Sequence, residues 1–213
     1  MLPAYLVKIP FWIKLFFPHR VWSLTRKKKQ VYLTFDDGPI PEVTPWVLEQ
    51  LKQFQGQATF FCIGKNIEAH PEIFNQIISE GHRIGNHTHH HLNAQQHTVK
   101  DYVNNTRQAQ QVIDTYVNQH PPLFRPPYGK LPTKHATALR KLGYKIIMWE
   151  ILSADFDPDT SPQKSLENVL KNIKNGSIIV FHDSVKAQEK LRYVLPQVLA
   201  YLSQKKMAIC ALD

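Results

Sequence analysis

The chain has 213 residues, 43% of them hydrophobic, which is enough to bury the core of one compact domain. Its 26 Lys and Arg against 17 Asp and Glu leave a net charge of +9, which favours anionic surfaces: nucleic acid, acidic lipid or acidic glycan. The two cysteines, Cys62 and Cys210, lie far apart in apolar runs; they match neither a disulfide framework nor a CxxC pattern and read as buried free thiols.

The chain opens on MLPAYLVKIPFWIKLFFPHRVW, apolar but interrupted by Lys8, Pro10, Lys14 and Pro18. It lacks the roughly 20 uninterrupted apolar residues of a membrane span, and no small-residue cleavage site follows its apolar part. Residues 1–29 are therefore expected to form an arm, with Phe11, Trp12, Ile13, Leu15, Phe16 and Phe17 packed on the domain. The second reading is an interfacial anchor that places Lys8, Lys14 and Arg20 at lipid headgroups. The run RKKK, residues 26–29, has no interleaved aromatic and reads as a solvated stretch, so no nucleic-acid partner is expected. These features point to a cytoplasmic or peripherally membrane-associated protein.

From residue 30 onward short apolar runs alternate with amphipathic segments. Strands are predicted over 31–36, 58–64, 83–86, 122–125, 144–149, 177–181 and 206–211, with helices between them. Seven strands in this rhythm suggest a mostly parallel α/β barrel with one unit fewer than the standard eight, and such barrels carry chemistry at the C-terminal ends of their strands. DDGP follows the first predicted strand, NHTHHH the third, RPPYG the fourth, EILSADFDP the fifth and HDS the sixth. Acids, histidines, an arginine and a tyrosine thus collect on one rim.

Within GNHTHHHLN, His87 and His91 are four apart, a spacing that on a helix brings two side chains to about 5–6 Å at Cβ. With Asp37 they offer two imidazoles and a carboxylate, a set that leaves coordination positions open and suits zinc or non-haem iron. A bound cation would also explain how Asp36 stays ionised beside Asp37. His89 and His90 remain alternative ligands, a surface histidine patch remains the plain alternative, and Thr88 reads as a local hydrogen-bonding residue.

TFDDGP, HTHHH, RPPYG, the region around Asp155 and IIVFHD, in this order, resemble the polysaccharide deacetylases of carbohydrate esterase family 4, the NodB-homology domain, over residues 30–213. The resemblance implies a deformed (β/α)7 barrel that binds a divalent metal, usually zinc, with Co2+, Ni2+, Mn2+ or Fe2+ as alternatives. The activity it implies is removal of acetyl groups from N-acetylated glycans or oligosaccharides of the chitooligosaccharide or peptidoglycan type, acting on a non-peptide carbon–nitrogen bond. Residue by residue it implies Asp36 as general base, Asp37, His87 and His91 as metal ligands, and Arg125 as the group orienting the base. Tyr128 resembles the backbone donor to the oxyanion, and His182 the general acid, supported by Asp155, with Asp157 a competing candidate. Trp149, Phe156, Ile178 and Val180 would contact substrate, the last two around the acetyl methyl. Leu152 and Phe156 stand where the family commonly carries Asp and Trp, which bears on substrate preference. Hydrolysis of another small amide or an acetyl ester, and a non-catalytic glycan-binding protein, are the competing functions; a monomer is expected.

Overall fold

The alternation read from residue 30 onward builds a curled parallel sheet whose strand ends share one rim. The computed structural model describes residues 5–213, so residues 1–4 of the arm lie outside it. In chain order its first elements are α1 (Phe11–Phe16), β1 (Gln30–Asp36), α2 (Thr44–Gln53), β2 (Thr59–Cys62), α3 (Gly64–Ala69), α4 (Pro71–Ser79), β3 (Arg83–Asn86) and α5 (Val99–Asp114). There follow β4 (Leu123–Phe124), α6 (Thr133–Lys141), β5 (Lys145–Ile146), β6 (Ile151–Leu152), α7 (Pro162–Leu170), β7 (Ile178–His182), α8 (Gln188–Gln204) and β8 (Ala208–Ile209).

The strands run in the order β5-β4-β3-β2-β1-β7-β6, every neighbouring pair parallel, which makes a deformed (β/α)7 barrel. Seven staves were expected, but one differs. The predicted strand at 206–211 is β8, which pairs only with the start of β1. The stave in its place is β6, just past the predicted strand 144–149 and too short to show a period. Strand β1 is buried on both faces, as a central parallel strand must be. Val31, Leu33 and Phe35 point to the helical layer, where Phe35 stacks between Phe60 and Phe181. Tyr32, Thr34 and Asp36 alternate to the barrel interior.

Strands β5 and β6 do not pair, and the N-terminal arm fills the seam between them. Val21 N–H donates to the Ile146 carbonyl (2.9 Å) and Met148 N–H to that of Val21 (2.7 Å), while Ile9 N–H donates to Glu150 (3.0 Å) and Leu152 N–H to Val7 (2.8 Å). The arm is thus part of the barrel wall. Its foot is clamped by Glu150, a buried carboxylate that accepts from Arg26 (2.7 and 2.8 Å), Lys14 (2.7 Å) and Ser177 Oγ (2.7 Å), with Lys8 at 3.6 Å. Burial pushes Glu150 up, but Arg26, Lys14, Ser177 and Lys8 outweigh it and hold the group at about 2. Because the folded value is depressed, the clamp contributes fully above the ordinary Glu value of 4.5 and is lost as pH falls toward about 2. Glu150→Gln should free the arm at neutral pH, seen as faster amide exchange at Ile9 and Val21. Unchanged exchange would mean that strand pairing alone holds it.

The packing expected of the arm's aromatics is overturned. Helix α1 has no buried residue, and Phe11, Trp12, Leu15, Phe16 and Phe17 are all exposed. Lys14, drawn inward to Glu150 and Ser23, fixes the helix rotation, so of the six Ile13 packs on the core and Phe17 meets only its edge at Trp22, with ring centroids 6.5 Å apart. Cys62 and Cys210 are free thiols, the first buried and the second half-buried. Among the described residues no helix is long and apolar enough to cross a membrane.

Candidate active site

Asp36 and Asp37 end β1 at the rim. Asp36 keeps the inward alternation, whereas Asp37 adopts a left-handed φ of 87°, which turns the chain sharply away. Gly38 follows because a Cβ there would lie 2.0 Å from Asp183 Oδ2. Asp183 accepts from Gly38 N–H (3.0 Å) and Thr44 Oγ1 (2.6 Å), pinning the turn. Burial, reinforced by nearby Asp37, pushes Asp183 up to about 8. Asp183 was not singled out from sequence, although it follows His182 directly in HDS.

Arg125, just past β4, is fully buried beneath this turn. Its Nη1 donates to Asp36 Oδ1 and to Thr34 Oγ1, both at 2.7 Å, Nη2 to the Met148 carbonyl (3.0 Å) and Nε to that of Ile147 (3.4 Å). The guanidinium lies 4.1 Å over the Phe61 ring. Each of these contacts fixes the direction of the Asp36 carboxylate.

The helical spacing argument for His87 and His91 fails, though the two residues do meet. Strand β3 ends at Asn86, and residues 87–91 form a loop with left-handed φ at Thr88 (65°) and His91 (54°). Thr88 braces it, accepting from Leu92 N–H at 3.1 Å. The ring centroids of His87 and His91 are 5.1 Å apart, and one ligand atom from each, with one from Asp37, lie within 4.8 Å of one another. His87 Nε2 is 3.8 Å and His91 Nε2 3.3 Å from Asp37 Oδ1, a buried oxygen with no hydrogen-bond partner. An orphaned carboxylate oxygen facing two imidazole nitrogens fits a divalent cation. The other ring nitrogens are engaged: His87 Nδ1 lies 2.8 Å from the Arg125 carbonyl and His91 Nδ1 3.2 Å from the Tyr128 hydroxyl, the outer partners that orient ligating histidines. Burial pulls His87 down to about 4 despite Asp36 and Asp37, leaving it neutral at pH 7 with a lone pair to give. Burial raises Asp37, but His91, His182 and His87 outweigh it and hold its carboxyl far below the ordinary range. His89 and His90 turn away, toward Glu68 (3.5 Å) and Asn105 (2.7 Å), and are not part of the cluster.

His182 is the register partner of Asp36 across β1 and β7. Its Nδ1 lies 2.8 Å from Asp155 Oδ1, and its backbone N–H donates to Asp155 Oδ2, also at 2.8 Å. Burial lowers its affinity for the proton, yet Asp155, then Asp37 and Asp36, raise it to about 9. Asp157 is engaged elsewhere, accepting from the Tyr5 hydroxyl and from Thr160 Oγ1 (3.1 Å).

A cavity of about 110 Å³ opens over these groups, walled by Tyr128, Trp149, Leu152, Phe156 and Val180. Ile178 does not line it. Strand alternation sets Ile178, Val180 and His182 on one face, but Ile178 is one repeat deeper and is packed with Tyr32 and Phe61. Tyr5, which no sequence signal flagged, does line the cavity, its ring 5.4 Å from that of Phe156, which in turn meets His182 at 5.0 Å. A second hollow of about 450 Å³ continues from it, sharing Tyr5, Tyr128, Gly129 and Trp149. Only the arm's pairing along β6 carries Tyr5 to the rim.

A carboxylate held by a buried arginine, a histidine kept cationic by a carboxylate, and a cation-ready cluster between barrel strands are the parts of a hydrolytic metal centre. The chain belongs to the polysaccharide deacetylase family, whose model matches residues 23–147. It is 32% identical over 185 residues to a protein of Bacillus cereus named peptidoglycan-N-acetylglucosamine deacetylase, covering 86% of each chain. It is likewise 32% identical over 196 residues to a chitooligosaccharide deacetylase of Azorhizobium caulinodans, covering 83% of this chain and 91% of that one. The crystal structure of the Bc1960 peptidoglycan N-acetylglucosamine deacetylase superposes with a TM-score of 0.85 at 30% identity, over 95% of this chain and 94% of the other.

Proposed function

We propose that this chain hydrolyses the acetamido group of N-acetylglucosamine units in a peptidoglycan strand or chitooligosaccharide, at a zinc centre held by Asp37, His87 and His91. The carrying observation is the opposed anchoring of a carboxylate and an imidazole around that cluster. Arg125 holds the Asp36 carboxylate from the β4 side, and Asp155 holds His182 from the β6 side and keeps it protonated, so a proton acceptor and a proton donor flank the same space. Two imidazoles and a carboxylate favour zinc, with Co2+, Ni2+, Mn2+ or Fe2+ compatible with the same donors. When bound, the cation supplies Lewis-acid polarisation of the acetyl carbonyl and lowers the pKa of water from about 15.7 toward about 7.

The chain's own residues supply the proton transfers. Asp36, oriented by Arg125, accepts a proton from the water whose oxygen bonds to the acetyl carbon. The Tyr128 backbone N–H donates to the oxyanion that develops there. As the carbon–nitrogen bond breaks, His182 gives its proton to the departing amine, releasing acetate and a free amino sugar. Val180 and Leu152 bound the space for the acetyl methyl, while Trp149, Phe156 and Tyr5 offer aromatic faces to the sugar. Residues 5–29 act as a wall of the catalytic barrel of residues 30–213 rather than as a separate module, and one copy carries the whole site.

Asp155→Asn should move the alkaline limb of the kcat profile to lower pH. His182 acts when protonated, its affinity for the proton is raised chiefly by Asp155, and removing that charge lets the proton leave sooner. An unmoved limb would take His182 out of the acid role.

The function itself is tested by acetate release from chitotetraose and from peptidoglycan fragments, with metal content measured on the same protein. Release from at least one substrate, lost on chelation and restored by zinc, is expected. Metal-loaded protein that releases acetate from neither would refute the reading, and activity confined to an aryl acetate would mark an esterase.

A further inference from the structure

We propose that α1 is a membrane-surface anchor, which seats its outer face in the interface of an anionic bilayer. The helix is inverted with respect to the usual pattern. Its inward side carries the pinned Lys14 beside Ile13, and most of its apolar side chains face water: Phe11 is 72% exposed, Trp12 59%, Leu15 63% and Phe16 74%. These four positions form one helical face, spaced i, i+1, i+4 and i+5, and Phe17, 37% exposed, extends it. Residues 11–17 hold five of the eleven large apolar side chains exposed among the described residues. Scattered exposed apolar side chains need no explanation, but a contiguous patch marks an interaction site.

The patch is held out firmly. The backbone is paired into the barrel seam on both sides of the helix, at Ile9 and at Val21, and Lys14 is tied to Glu150 and Ser23. A frayed end could fold back over the core; this one is fixed facing outward.

Charge selects the occupant. Residues 5–29 contain seven Lys or Arg and no Asp or Glu; Lys8, Lys14 and Arg26 face Glu150, which leaves Arg20, Lys27, Lys28 and Lys29 without that partner. Arg20 stacks on Phe17 within the patch, and Lys27, Lys28 and Lys29 are solvent-exposed next to β1. A second copy of this chain would bring the same positive segment against itself, whereas anionic headgroups complement it. Six helical residues span about 9 Å, too short to cross a bilayer, so the helix lies in the interface plane, with Trp12 at headgroup depth.

The test uses the full chain with vesicles of pure phosphatidylcholine and of phosphatidylcholine with 30 mol% phosphatidylglycerol, read by flotation. Binding at least tenfold stronger to the anionic vesicles, weakened by salt, is expected. The double variant Phe11→Ser, Phe16→Ser should lose at least tenfold in binding while keeping its melting temperature and its hydrolysis of a soluble oligosaccharide. No flotation of wild type on either vesicle would overturn the proposal. So would flotation unaffected by the double variant, or a concentration-dependent dimer without flotation that the variant abolishes. Hydrolytic activity does not enter the binding readout, so the anchor and the catalytic reading stand or fall separately.

Discussion

Asp36→Asn should lower kcat by about 10²–10⁴ with metal content and fold preserved, because a positioned general base contributes that much to proton abstraction. Asn keeps the carbonyl-type oxygen that Arg125 reaches at 2.7 Å, so the geometry of the turn has an acceptor in place. It lacks the basicity to take a proton from water. The measurement is acetate release from a soluble oligosaccharide at saturating concentration, with zinc quantified in parallel. Wild-type kcat in the Asn variant would remove Asp36 from the base role, and loss of bound metal together with activity would place the carboxylate among the ligands.

Arg125→Met should cost about 3–5 kcal/mol of unfolding free energy, the range for removing one partner of a buried ion pair. Arg125 is fully buried and Asp36 nearly so, and the guanidinium also serves Thr34 Oγ1 and the carbonyls of Ile147 and Met148. The variant therefore leaves a buried carboxylate without its counter-charge and three acceptors without donors. Urea denaturation reads the loss. Adding Asp36→Asn in the Met background should restore part of it, since the uncompensated charge is gone. If the double variant is as unstable as the single one, the carbonyl contacts rather than the ion pair dominate. A cation bound at the Asp37, His87 and His91 cluster would add stability by mass action, so both proteins are compared after chelation.

These two predictions rest on residues that stand 89 positions apart in the chain, Asp36 and Arg125, and the sequence indicated both through local motifs. DDGP and RPPYG each follow an apolar run, and a parallel barrel places the ends of such runs on one rim, so strand logic alone brings them near each other. The same logic reached His182. It failed where the backbone was not regular: His87 and His91 were expected to meet through helical spacing, yet they meet because a loop takes two left-handed residues. Periodicity carries no information about such a loop. Asp155 was the expected partner of His182 with Asp157 as its competitor, two positions away on an irregular segment, and the hydrogen bonds favour Asp155.

Tyr5 and the α1 face were illegible for a different reason. An apolar N-terminal run looks the same whether its aromatics are buried or exposed, because hydropathy records composition and not orientation. What orients it is the unpaired seam between β5 and β6, a property of the curled sheet that no local window contains. Chain order and residue type by themselves determined the barrel class, the acid-rich and histidine-rich rim and the choice of Asp37, His87 and His91 as one cluster. Tertiary structure alone decided which of two acids faces His182, which end of the arm reaches the catalytic cavity and which side of α1 meets solvent. Those outcomes depend on long-range backbone pairing, whose partners are set by the sheet as a whole.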